Sequence, residues 1–239
     1  MIPARAPTCR RQHWVAALVP SVVLLVYGNI ATLAIWQPGA WPTIPAVGHL
    51  VFVALALVWA LGPARLSLAA LGLGRAGWRR SVLLGLGVGG LMALLVLLPL
   101  LAFRAIGWHS ATALPSDGGA LAIRAARLLV ASAICEELWF RGLLQACWGR
   151  VLGPVGGILV SAVLFAAWHL VVWGWTVTQV ALQPPLPLAL TYAAGLVALA
   201  VAGGFFGWLR LVTGLLTGPV VAHWLIVLVL TGLVRIGWL

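Results

Sequence analysis

The chain contains no lysine, a single asparagine (Asn29) and only three acidic residues, Asp117, Glu136 and Glu137. Charged residues make up 7% of the 239 positions and hydrophobic ones 64%, with a mean hydropathy of +1.15. A soluble domain averages about 25% charged residues, so this composition points instead to a polytopic membrane protein. The three cysteines (Cys9, Cys135, Cys147) form no CxxC pair, which argues against a zinc knuckle or a disulfide framework. A formal charge of +11 comes entirely from fourteen arginines. It lacks the polar surroundings that a nucleic-acid-binding face requires, so no nucleic-acid partner is expected.

The apolar runs are long and continuous rather than alternating, which selects helices over a β-barrel. The expected fold is all-α, a transmembrane bundle of about seven spans (six to eight), near 14–36, 44–62, 82–106, 120–148, 153–174, 186–209 and 215–238. Residues 1–119 then supply three spans and a loop at 104–119, and residues 120–239 a four-span core. The first span follows Arg5, Arg10 and Arg11 but is too long for a signal-peptide core, and it reads as an uncleaved helix. Nine arginines fall on the side of the N-terminus (Arg5, Arg10, Arg11, Arg65, Arg75, Arg79, Arg80, Arg150, Arg210) and four on the other (Arg104, Arg124, Arg127, Arg235). That asymmetry predicts a cytoplasmic N-terminus. The expected location is the prokaryotic inner (plasma) membrane, as a multi-pass protein with membrane lipids as partners. Trp36, Trp41, Trp78, Trp108, Trp173 and Trp175 fall near span ends, as an aromatic belt does. The spacings Gly85/Gly89 and Gly203/Gly207 permit close helix approach, but with 28 glycines chance accounts for most such pairs.

Polar residues inside the spans are few. A carboxylate at the centre of a membrane helix costs roughly 2.5–3.5 kcal/mol on insertion scales, so Glu136 and Glu137 mark a functional site. Glu137 and Arg141 stand at i and i+4 with the acid first, the favourable order for a pair. Glu136 lies about 100° further round the helix and is left free to hold and deprotonate a water. Counted from the nearest turns, Glu136, His169 and His223 lie roughly 21, 28 and 15 Å deep, so convergence on antiparallel neighbours is feasible. A carboxylate and an imidazole around one water are the minimum for making it a nucleophile, and a second imidazole can meet the oxyanion. The same three residues, Glu136, His169 and His223, have the composition of a zinc site, although no cofactor is the preferred expectation. An HExxH zinc motif, a second aspartate for an aspartyl dyad and a Gly-x-Ser-x-Gly elbow are all missing.

Three segments resemble one known family in its own order. Glu136-Glu137-Leu138-Trp139-Phe140-Arg141 resembles the EExxxR motif of the CAAX prenyl protease and bacteriocin-processing (CPBP, or Abi) family. Phe165 to His169 resembles its FxxxH motif, and Thr213 to His223 the approach to its HxxxN motif. The resemblance covers about residues 121–235 and implies a glutamic-type intramembrane endopeptidase. By it, Glu136 is the base, His169 helps hold the water, His223 serves the oxyanion, and Glu137, Arg141 and Phe165 support the site. A peptide or protein with a membrane-proximal segment is the implied partner: a lipidated C-terminus, a leader or a C-terminal anchor.

Val227 stands where the third motif ends in asparagine. Trp224, Thr231, Thr191 and Tyr192 are the polar side chains left to donate in its place, and Asn29 is remote in sequence. Val227 motivates a second reading, a non-catalytic membrane protein of the same fold such as a bacteriocin-immunity factor or assembly scaffold. A small-solute or proton-linked transporter is a weaker third, because matching broken helices in two halves are absent.

Overall fold

A computed structural model of the chain describes residues 7–35, 44–105, 118–179 and 187–235. These residues are helical apart from the 62–77 loop and short turns, with no strand among them, so the all-α bundle is as expected. The order is α1 (Pro7–Ile35), α2 (Ile44–Leu61), α3 (Trp78–Ala105), α4 (Gly118–Arg127), α5 (Cys135–Glu137), α6 (Gln145–Trp168), α7 (Leu170–Gln179), α8 (Leu188–Thr213) and α9 (Thr217–Arg235). Two π-helical stretches, π1 (Leu128–Ile134) and π2 (Leu138–Leu144), flank α5, so α4 to the start of α6 is one continuous helical run.

Four stretches are long and apolar enough to cross a membrane: Arg10–Ile30, Trp78–Leu98, Ala125–Trp168 and Leu188–Thr213. Gly48–Leu61 and Thr217–Leu230 are shorter apolar helices. The 44-residue stretch Ala125–Trp168 is two crossings, because α6 turns sharply at Gly153 (φ 80°, ψ 170°) before Pro154. Proline disfavours helical geometry in the residue before it, and glycine alone adopts that φ without cost.

Two features of the spans depart from the sequence reading. The helical run through 153–174 breaks at His169, which has φ −90° and ψ 3°, and resumes as α7 as far as Gln179. The glycine pairs are structural rather than accidental. A Cβ on Gly85 would stand 2.4 Å from the Gly218 carbonyl oxygen, and one on Gly89 2.8 Å from Ala222 Cα, so α3 and α9 meet backbone to backbone. Gly203 and Gly207 likewise bring α8 onto the preceding helical run, against Ala162 and Ile158. Trp36, Trp41, Trp108, Asp117, Arg5 and the greater part of the 104–119 loop lie outside the described residues.

The loop between α2 and α3 gathers one end of the bundle. Arg150 donates to the Ala64 and Arg65 carbonyls (2.6 and 3.4 Å), Arg210 to the Ala70 carbonyl (2.8 Å), and Leu216 N–H to the Gly72 carbonyl (3.0 Å). The helix junctions at 150 and 214 therefore share an end with that loop. At the opposite, deeper level the core is aromatic: Phe52 stacks on Trp139 (4.6 Å), on Trp168 (5.0 Å) and on Tyr27 (5.6 Å).

Candidate active site

The glutamate pair sits where the helix is overwound on neither side. A π-turn widens the helix by one residue and recurs at functional sites; here π1 and π2 bracket Cys135–Glu137. Adjacent side chains on that turn diverge, yet both carboxylates reach the same imidazole. His223 Nδ1 is 2.8 Å from Glu137 Oε1, and His223 Nε2 is 4.0 Å from Glu136 Oε2. His169 Nε2 is 3.8 Å from the same Glu136 oxygen. Glu136, His169 and His223 thus come together, with separations somewhat longer than a hydrogen bond.

The hydrogen bonds fix which ring nitrogens carry protons. A carbonyl or carboxylate oxygen only accepts, so His169 Nδ1–H donates to the Phe165 carbonyl (2.8 Å) and His223 Nδ1–H to Glu137. Both Nε2 atoms then face Glu136.

Glu137 and Arg141 are fully buried and paired at 3.1 Å. The same Glu137 oxygen accepts from His223, so the pair does more than neutralise itself: it aims an imidazole. Arg141 passes its other nitrogen to the Gly203 carbonyl (3.1 Å), and its guanidinium lies over Phe165 (4.5 Å), Phe206 (5.1 Å) and Phe140 (5.5 Å). Ring faces attract a cation, more strongly where water is excluded. Phe165 also meets both histidine rings edge-on, with ring centroids 4.7 and 5.7 Å away.

Four participants escaped the sequence reading. Ser132 donates to Glu136 Oε1 (3.2 Å) and lies 3.5 Å from His223 Nε2. Phe206 stacks on His223 at 5.2 Å with its ring 16° from parallel. Gln145, one turn beyond Arg141, donates to the Gly207 carbonyl at 2.9 Å, repeating the Arg141–Gly203 contact four residues on. The spacing Glu137, Arg141, Gln145 opposite Gly203, Gly207 was visible in the sequence, but only as unrelated intervals. Asn29 is the fourth. It donates to the Ala167 carbonyl (3.2 Å) and accepts from Val171 N–H (3.3 Å), spanning the helix break at His169.

A cavity of about 460 Å³ opens on these groups. Glu136, Ser132, His169, His223, His49 and Tyr27 supply its polar lining, and Phe52, Trp168 and Ile226 are among its apolar walls. Val227 also lines it, so the position expected to carry asparagine does face the site. The proposed substitutes for that asparagine are engaged elsewhere. Trp224 donates to the Ala125 carbonyl, Tyr192 to the Leu170 carbonyl and Thr191 to the Pro187 carbonyl, each satisfying a local backbone oxygen; the Thr231 side chain lies outside the described set. Ser132 is the hydroxyl that reaches His223.

Residues 118–229 match the family described as type II CAAX prenyl endopeptidase, Rce1-like. No curated protein and no solved structure matches the chain. The matched segment begins at the first residue of α4, ends within α9 and spans the EExxxR-like and FxxxH-like segments and His223, with Val227 at the close of the third. Over residues 118–229, just under half of its length, the chain is therefore similar to the CAAX prenyl endopeptidase family, and its long apolar helices mark it as an integral membrane protein.

Proposed function

We propose that the chain is an intramembrane endopeptidase that uses Glu136 to activate a water against a peptide carbonyl. The observation that carries this is the focus of two imidazole Nε2 atoms, at 3.8 and 4.0 Å, on one Glu136 oxygen at the wall of a largely apolar cavity. Glu136 takes a proton from water while His169 orients it. The hydroxide oxygen bonds to the carbonyl carbon, and the former carbonyl oxygen becomes an oxyanion. His223 and Ser132 lie beside that position, and the Glu137 carboxylate holds the His223 ring in place through Nδ1–H. Glu136 then returns its proton to the leaving amine, and the C–N bond breaks. A site of this kind tightens when substrate fills it, so separations near 4 Å are compatible with the role.

The apolar walls favour a substrate carrying a lipid or a membrane-embedded segment close to the scissile bond. Zinc held by Glu136, His169 and His223 is the rival use of the same atoms. Among the described residues no group of three His, Cys, Asp or Glu is arranged to hold a metal ion.

The test is turnover of prenylated C-terminal peptides and membrane-anchored peptides in proteoliposomes. Glu136→Gln and His169→Ala are expected to lose about 10²–10⁴-fold in rate with the fold intact. Wild-type turnover should persist in ortho-phenanthroline, whereas loss on chelation and return with zinc would favour the metal reading. Equal turnover in wild type and both variants would sink the protease. Val227 supports a second reading, a non-catalytic protein of the same fold; it predicts a biological phenotype that survives Glu136→Gln.

A further inference from the structure

A second cleft lies at the arginine-rich end of the bundle, well away from Glu136. It has a volume of about 650 Å³ and is framed by α1, the α2–α3 loop and the Arg150 region of α6. Arg11, Arg65 and Arg150 line it, one from each of these three elements. Val15, Ala16 and Trp59 lie about one helical turn deeper along α1 and α2. The cleft is thus cationic at its rim and apolar at its floor.

The cleft is built, not incidental. Arg150 is anchored on the Ala64 and Arg65 carbonyls, and Trp59 is anchored on the Ala16 carbonyl (3.1 Å). Backbone bonds from Ala64 to Trp59, Arg65 to Gly62 and Leu66 to Ala60 (2.9, 3.1 and 2.7 Å) fix the loop. Arg65 takes a left-handed backbone at φ 48°, a conformation disfavoured for a side chain and found where surroundings or ligands hold it. Among the described residues no carboxylate lines this cleft: Glu136 lines the catalytic cavity, and Glu137 is buried against Arg141 and His223.

We propose that this cleft binds the headgroup of an anionic phospholipid, the phosphate between Arg11, Arg65 and Arg150 and an acyl chain against Trp59 and Val15. Basic recesses between membrane helices bind such headgroups, and each arginine near the surface adds to the attraction. The apolar floor, continuous with the membrane-facing helices, favours a lipid over free phosphate. The inference does not depend on the protease reading.

Purified full-length protein in mixed micelles would be titrated with dioleoyl phosphatidylglycerol or dioleoyl phosphatidylcholine, and bound lipid counted by native mass spectrometry. Wild type is expected to retain phosphatidylglycerol in preference. Arg11→Gln/Arg65→Gln should lower that retention by about tenfold or more. Arg127→Gln, beyond Glu136 from Arg150 along the same helical run, should leave it unchanged. Retention equal to wild type in the double variant, or no preference for the anionic lipid in wild type, overturns the proposal. So does displacement of the lipid by millimolar inorganic phosphate, which would transfer the site to a free anion. Should the double variant fail to fold, the wild-type preference and the Arg65→Gln single variant decide the matter.

Discussion

His223 stands between the two glutamates: its Nδ1 is 2.8 Å from Glu137 Oε1 and its Nε2 4.0 Å from Glu136 Oε2. One carboxylate therefore orients the ring, and the other faces the nitrogen left over. This is why two adjacent acids are useful where one would already be costly. Glu137 is made tolerable by Arg141, which is in turn enclosed by three phenylalanines and the Gly203 carbonyl.

Removing Arg141 should therefore be a stability lesion before it is a catalytic one. Breaking a buried pair from one side costs about 3–5 kcal/mol, because the remaining charge is left uncompensated. Arg141→Ala is expected to lower the thermal unfolding midpoint and protein abundance sharply. Arg141→Lys should recover part of the loss: the charge returns, but a single ammonium cannot serve Glu137 and Gly203 together with a planar fork. A wild-type unfolding midpoint in Arg141→Ala would show that the pair is not holding the site.

Ser132 and Val227 make a paired prediction. If the Ser132 hydroxyl donates to the oxyanion, Ser132→Ala should slow turnover by about 10²–10³-fold with little change in KM, as loss of a single oxyanion donor does. Val227 lines the same cavity, so Val227→Asn offers a donor from the other side. The double variant Ser132→Ala/Val227→Asn should regain turnover over Ser132→Ala alone. The readout is kcat on a membrane-anchored peptide; an unchanged kcat in Ser132→Ala removes the hydroxyl from the mechanism.

What the sequence disclosed was local. The i, i+4 relation of Glu137 and Arg141 and the helical runs both follow from helix periodicity and hydrophobicity, which act over a turn or a span. What it withheld was long-range. Asn29 reaches a backbone 138 residues away, and nothing in its own segment points there. Ser132 joins Glu136 and His223 at the end of π1, where the helix departs from the 3.6-residue period used to place side chains. Gly203 and Gly207 matter because their carbonyls receive Arg141 and Gln145, contacts that exist only once α8 has docked.

Asn29 is expected to act on His169 through the chain rather than on the substrate. Its amide bridges the Ala167 carbonyl and Val171 N–H on either side of the break, groups that a continuous helix would have paired internally. Asn29→Leu should cost about 1–3 kcal/mol, the penalty for leaving a buried polar group unmatched. It should also lower kcat by disturbing the ring that Phe165 orients. Asn29→Asp keeps the acceptor for Val171 and should retain more activity than Asn29→Leu. Unfolding midpoints and kcat measured together separate this from a purely structural role, which would move stability and leave kcat of the folded fraction alone.

The glycines of α3 give the sharpest contrast, because neighbours on one helix predict opposite signs. A Cβ on Gly87 or Gly90 meets nothing within 4 Å, whereas one on Gly89 would lie 2.8 Å from Ala222 Cα and one on Gly85 2.4 Å from the Gly218 oxygen. Those obstacles are backbone, which cannot rotate aside as a side chain does. Gly87→Ala should be neutral or stabilising, by up to about 0.5–1 kcal/mol, since alanine favours a helix over glycine. Gly89→Ala should push α9 away at the residue just before His223, lowering both the unfolding midpoint and kcat. Equal behaviour of Gly87→Ala and Gly89→Ala in the two measurements would mean that the α3–α9 contact does not hold His223 in place.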